Sequence, residues 1–389
     1  MHDQSVAKNI RILWLLKGLS SAWFPIPILM IFYQSYGLSL AQGVMLKAIL
    51  SGAFFLGEIP SGYFADRIGR KTSLVCGSLL WLLAWLIYCT QGSWSWFVGA
   101  EILTGIGGSL MSGADSAITY DTLLQLGRTA EYQGWEGKGL AIMGLTEAAC
   151  GLVGAWVATQ NLVYPFYLQT ACLCCYVVLA LMLREPTAHC SQVNPPWRSL
   201  TGSIRTIFTQ RPSLRWLILF SATLSCGSFL IVWLSQEYMV QRGLELTHLG
   251  WAWVIFHSAM AIASSLVGRI RPRDYRWIFA LLPCVVAIAY IGLGVTKSLW
   301  GMGFIIAIYM MRGLNTPLVL NYLNQQIPSN FRATLISINS FLFRLLFLGF
   351  APLVSLVSRG SGFETSLIFA GLLLGIVATY AYYKLRPTL

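Results

Sequence analysis

Apolar runs of roughly 18–25 residues, separated by short polar turns, recur along nearly the whole sequence. Each is long enough to cross about 30 Å of hydrocarbon as an α-helix. The runs do not alternate residue by residue, which sets aside a membrane β-barrel and leaves helices as the way to satisfy every backbone group in lipid. They predict spans over 10–34, 40–65, 72–91, 95–122, 138–160 and 163–183 in the first half. The second half gives 213–240, 246–268, 277–295, 299–325, 332–357 and 363–384. Between them, 185–211 is the longest polar stretch, with Pro195, Pro196, Arg198, Arg205 and Arg211. The expected fold is an all-α polytopic membrane protein of 12 transmembrane helices in two six-helix bundles. Residues 1–184 would form the N-terminal bundle, 185–212 a cytoplasmic linker and 213–389 the C-terminal bundle.

Composition supports this division. Of 389 residues 56% are hydrophobic and 10% charged, against about a quarter charged in a soluble domain. The formal charge of +12 invites a nucleic-acid partner, but the basic residues cluster between apolar runs and line no single helix face. No nucleic-acid partner is therefore expected. Most of the 26 Lys and Arg fall on one side of the predicted membrane, while Arg242, Lys297 and Arg359 fall on the other. The positive-inside rule then places both termini in the cytoplasm of a plasma (bacterial inner) membrane. The first run contains Lys17, Pro25 and Pro27 and lacks a small-residue cleavage site, so it reads as a retained helix and not a signal peptide. Eight of nine cysteines lie within or at the ends of apolar runs, and none is spaced with His for zinc. Neither a metal nor a cofactor is expected.

The two halves carry a trace of duplication. Gly113, Asp115, Ser116, Asp121, Leu123 and Gln125 of the fourth span align, at an offset of 200 residues, with Gly313, Asn315, Thr316, Asn321, Leu323 and Gln325 of the tenth. Each span has the same ordinal place in its half, as in internally repeated transporters. The acids of the first half have become neutral amides in the second.

After the second span comes Gly62-Tyr-Phe-Ala-Asp66-Arg67-Ile-Gly69-Arg70-Lys71-Thr72. Gly62 suits a close approach of helices, Gly69 suits a tight turn, and the four-residue spacing of Asp66 and Arg70 brings them together over one helical turn. The segment resembles the signature loop of the major facilitator superfamily: glycine, three residues, Asp-Arg, one residue, Gly-Arg-Arg/Lys. With two six-helix halves, the resemblance spans the chain. It implies that the acid caps the start of helix eleven and that the arginine pairs with an acid at the end of helix four, where Asp121 stands. Asp66, Arg70 and Asp121, with Gly62 and Gly69, are thus expected to form a cytoplasmic latch. The corresponding second-half loop is degenerate, with Gly268 in place of the acid, so the latch should be one-sided. Two departures weaken an assignment to drug–proton antiport. Glu101 stands near the position where many proton-coupled members carry Arg, and Gly144, Gly151 and Gly154 occur without the proline of the antiporter pattern in helix five.

An ionisable group at mid-bilayer costs about 2.5–3.5 kcal/mol, so each needs a reason. Counting from the cytoplasmic ends places Lys17, Asp115 and Glu147 at similar depth. Lys17 is expected to pair with Asp115 or Glu147, leaving one carboxyl poorly compensated and open to protonation; a static ion pair is the competing reading. Arg312 and Arg344 lie near mid-membrane with no acid at their depth, which suits an anionic substrate. His257 reads as either a hydrogen-bonded core residue or a proton relay. Asn315, the neutral counterpart of Asp115, joins the substrate-binding or coupling candidates. Pro25 and Pro27 should interrupt helix one, and Pro317 should kink helix ten.

The sequence carries no Walker-type ATP motif and no cluster of His, Cys or paired acids at a membrane face. The expected function is secondary active transport of a small-molecule substrate by alternating access, not enzymatic catalysis. The proton is the expected coupling ion and the lipid bilayer the solvent, with a monomer as the working unit. Export by antiport is slightly favoured; symport or facilitated import of an anionic metabolite is the alternative.

Overall fold

A computed structural model describes residues 2–90, 92–186, 212–326 and 329–388. Among them are thirteen α-helices and no strand. The first-half helices are α1 His2–Leu19, α2 Leu29–Ser35, α3 Leu40–Ile68, α4 Arg70–Cys89, α5 Trp94–Gln125, α6 Tyr132–Ala158 and α7 Tyr164–Met182. Those of the second half are α8 Pro212–Gln241, α9 Leu246–Leu266, α10 Tyr275–Val295, α11 Met302–Gln326, α12 Ser329–Ser361 and α13 Phe363–Leu385. Helices α1 and α2 share the first span, so the helices provide twelve spans. Ten are long and apolar enough by themselves to cross a membrane. The other two are the interrupted first span and α5, which carries Glu101, Asp115 and Asp121.

The first span breaks where its prolines stand. Regular α-helix stops at Leu19, and a 3-10 turn over Ile26–Ile28 leads into α2. Pro25 and Pro27 have no N–H to donate, and the intervening chain finds other partners. The Phe24 N–H donates to Gln169 Oε1 at 3.2 Å, and the Ile28 N–H to the Pro25 carbonyl at 3.0 Å. Such unwound backbone is tolerated at membrane depth only where protein surrounds it or a wet cavity adjoins it. Gly154 of α6 makes room: a Cβ there would lie 1.9 Å from the Phe24 carbonyl oxygen. By contrast, Pro317 sits inside a continuous α11.

The chain forms two compact units. Unit 1 comprises 1–32, 49–197 and 246–251; unit 2 comprises 33–48, 198–245 and 252–389. They follow the sequence halves except that 33–48 packs with the second-half helices and 246–251 with the first. In unit 2 the Lys47 ammonium lies over the rings of Tyr33 and Trp233, at 5.4 and 4.9 Å, and Gln34 donates to Glu237. The third span packs on the fourth and sixth, and correspondingly the ninth packs on the tenth and twelfth. Most of the predicted linker lies outside the described residues.

Span boundaries differ from the sequence reading in one consequential place. Helix α6 begins at Tyr132, six residues before the predicted start, because the Gly-containing run 132–138 continues the helix instead of forming a turn.

The Gly154 contact predicts a contrast. Gly154→Ala should lower stability by about 1–3 kcal/mol through overpacking against backbone. Gly144, where a Cβ would meet nothing within 4 Å, should accept Ala without loss. Thermal unfolding of the purified variants in detergent measures both.

Candidate functional site

In unit 1 three helices converge on one buried cation. Lys17 of α1 is 5% exposed, and its Nζ lies 2.7 Å from Asp115 Oδ2 of α5 and 3.5 Å from Glu136 Oε2 of α6. Its aliphatic stem runs past Gly139, where even a Cβ would make only ordinary contact with it, at 3.6 Å. Trp14 of α1 and Trp135 of α6 meet in a tilted pair with centroids 4.0 Å apart. Two carboxylates thus share one ammonium unequally. Asp115 holds the short contact, while Glu136 has the long one and an Oε1 that is buried without a hydrogen-bond partner. The expected Lys17–Asp115 pair is present, but Glu136, not Glu147, is the second acid. The reason is the early start of α6, which brings Glu136 into the helix at the depth of Lys17 and carries Glu147 three turns further on. Apolar periodicity could not supply this, because Glu136 sits in a stretch of mixed polarity.

The signature segment closes into a compact charge cluster, also within unit 1. Gly69 adopts φ +119°, a backbone region open to glycine, and serves as the N-cap of α4. Arg70 Nε approaches Asp121 Oδ2 at 2.6 Å, and Arg70 Nη2 lies 3.8 Å from Asp66 Oδ1. Asp121 Oδ2 lacks an aligned hydrogen bond, so this close contact is an ion pair. The sequence reading of Asp66, Arg70 and Asp121 as neighbours is met. It did not foresee Glu185, whose carboxylate accepts the N–H groups of Arg70 at 2.6 Å and Lys71 at 2.8 Å. That places a negative charge on the positive end of α4. The only hint in the sequence was an acid just after the sixth span. Gly62 departs from expectation, since a Cβ there would meet nothing within 4 Å; among the described residues no neighbour requires a glycine. In the turn after α5, Arg128 bonds Glu131 through two contacts of 2.7 and 2.6 Å. This hydrogen bonding holds the exposed Glu131 carboxyl below its usual range.

Unit 2 places the remaining candidates differently. Asn315 of α11 is buried and donates through Nδ2 to the Ser221 carbonyl at 3.1 Å and to Ser225 Oγ at 3.3 Å. Its Oδ1 has no partner. Arg312, one turn away, is half-buried and makes no ion pair or hydrogen bond with any described residue. Arg344 of α12 lies 5.8 Å from the Phe343 ring centroid. His257 Nδ1 contacts the Trp253 carbonyl at 3.1 Å, and the imidazole stands between the Trp253 and Tyr309 rings. That favours a packed, hydrogen-bonded residue. Glu101, in unit 1, is buried in an aromatic nest and accepts the Tyr88 hydroxyl at 2.6 Å, away from Lys17.

Two expectations follow. Lys17→Met leaves both acids uncompensated and should cost about 3 kcal/mol; adding Asp115→Asn and Glu136→Gln in that background should recover most of it, as read by thermal unfolding. Glu185→Ala removes an N-terminal cap and should cost about 0.5–2 kcal/mol, with Glu185→Asp intermediate in the same assay.

The sequence model of the Major Facilitator Superfamily matches residues 18–352. YxaM of Bacillus subtilis (strain 168), described as an uncharacterized MFS-type transporter, is 23% identical over 344 residues, covering 84% of this chain and 82% of the relative. Among solved structures, the nucleoside transporter NupG superposes with a TM-score of 0.75 at 11% identity, over 99% of each chain. A bacterial homolog to the human lysosomal transporter Spinster, inward-facing and occupied, gives 0.74 at 15%, covering 98% of this chain and 97% of the other. A D-xylose–proton symporter gives 0.72 at 15%, covering 97% and 96%. At these identities the superpositions establish the fold alone. Since the family model spans most of its length, the chain belongs to the Major Facilitator Superfamily and is a multi-pass membrane transporter of a small solute.

Proposed function

We propose that the protein is a proton-coupled secondary transporter whose coupling site is the Lys17–Asp115–Glu136 triad. The supporting observation is the uneven sharing of one buried ammonium by two carboxylates. With both acids ionised the triad carries a net negative charge in a low-dielectric setting, which is costly. Protonating Glu136, the acid with the longer contact, leaves a neutral Lys17–Asp115 pair beside a carboxylic acid. Releasing that proton restores the charge. A group that alternates between these states as access changes from one side to the other links solute movement to a proton gradient.

Antiport, with solute leaving the cell, is the direction we favour, with both termini cytoplasmic and the monomer as the working unit. Uptake of an anion by symport is the second reading, favoured by Arg312, which pairs with no described residue. The Asp66–Arg70–Asp121 cluster is proposed to bias the switch between access states.

Proteoliposome flux under an imposed pH gradient tests the coupling. Glu136→Gln and Asp115→Asn should each abolish acceleration by the gradient while gradient-free exchange of labelled solute persists. Flux in both variants that still follows the gradient as in the wild type would refute the triad. The polarity of the gradient that drives accumulation decides between antiport and symport.

A further inference from the structure

We infer that unit 2 binds the transported solute and that the solute is a flat, ring-bearing organic anion. In this site Arg312 takes the anionic group, and the Trp253–His257–Tyr309 ring cluster takes the ring. The inference rests on the transport reading, and it names the substrate class without depending on proton coupling.

The first observation is an unused charge. A guanidinium within a membrane-spanning helix normally finds a carboxylate, a backbone carbonyl or a wet cavity. Arg312 is half-buried in α11, and no described residue pairs with it or hydrogen-bonds it. No described residue uses a donor of its planar fork, and that fork matches a carboxylate or phosphate in two parallel hydrogen bonds.

The second observation is what shares its side of the helix. Tyr309, Arg312 and Asn315 recur every three residues along α11, so each is about 4.5 Å further along the axis and turned by about 60° from the last. Arg312 therefore stands between Tyr309 and Asn315. Tyr309 is fully buried in a ladder of rings: Phe256 stacks on it with centroids 5.2 Å apart, His257 meets it edge-on at 5.4 Å, and Trp253 lies 4.4 Å beyond His257. A planar solute ring extends such a ladder through offset or edge-to-face contacts.

The third observation is a pair of orphaned polar atoms. Trp253 is 4% exposed and its Nε1–H has no acceptor; Asn315 is 1% exposed and its Oδ1 has no donor. Buried polar groups left in this state are costly, and a solute carrying its own acceptor and donor groups relieves them. An aliphatic ligand would not extend the ladder, and an uncharged one would offer Arg312 no counter-charge.

Equilibrium binding to the purified full chain in detergent, without any gradient, tests the assignment. The probes are benzoate and indole-3-acetate, with acetate as the ringless anion, indole as the uncharged ring and D-xylose as the uncharged aliphatic. We expect the two aromatic carboxylates to bind and the three controls to bind at least about tenfold more weakly. Arg312→Gln should weaken aromatic-carboxylate binding by about 10–100-fold. Trp253→Phe keeps an aromatic ring but removes the N–H and part of the ring surface, and should cost about fivefold. Absence of binding by either aromatic carboxylate overturns the inference. So does acetate or D-xylose binding as tightly as benzoate, or wild-type affinity in both variants. The Asp115→Asn/Glu136→Gln double variant should bind these probes like the wild type. Binding retained there without gradient-driven flux separates a failure of coupling from a failure of this site.

Discussion

The costliest element in unit 1 is a lysine ammonium deep in an apolar helix bundle, and the local architecture follows from keeping it compensated. Lys17 is tolerable only if α5 delivers Asp115 and α6 delivers Glu136 to the same point, which fixes the rotation of three helices about their axes. The lysine stem runs past Gly139, and the tilted Trp14–Trp135 pair comes from the same two helices, α1 and α6. The same desolvation that makes a lone charge expensive gives two acids sharing one cation their sensitivity to a proton.

Comparison of the two halves sharpens this. The fourth and tenth spans align at Asp115 and Asn315, and each residue reaches toward the first helix of its own half: Asp115 to Lys17, Asn315 to Ser221 and Ser225. The geometry of the repeat is kept while its charge is confined to one copy. The neutral copy needs no cation, and Arg312 beside it pairs with no described residue. One backbone arrangement thus carries two chemistries, a lysine shared by two acids and a guanidinium that pairs with no described residue.

A second constraint concerns backbone groups. Two prolines end regular helix in the first span, and the freed amides must be satisfied without water. Gln169 supplies an acceptor and Gly154 supplies space against Phe24. At the start of α4 a comparable problem has a different answer. Gly69 turns the chain, and Glu185 caps the exposed N–H groups while Arg70 reaches Asp121. The signature segment is therefore held through both its side chains and its backbone.

Sequence alone determined much of this protein. Apolar run lengths dictate the number of spans, because lipid allows few other solutions. The order Gly62–Thr72 marks the family loop, the spacing of Asp66 and Arg70 foretells that they meet, and the family resemblance implies Asp121 as their partner. Proline positions foretell the break in the first helix. Charge type and approximate depth narrowed the partner of Lys17 to Asp115 or Glu147. What the sequence left open depended on helix phase and on exact ends. Only the tertiary structure shows α6 starting at Tyr132 and thereby selects Glu136 over Glu147, because the two lie about three turns apart on nearly one face and the start of the helix decides which of them reaches the depth of Lys17. The partners of Glu185 and Asn315 and the isolation of Arg312 belong to the same class. They are contacts between segments about 90–115 residues apart, or the lack of one, and no local pattern records them.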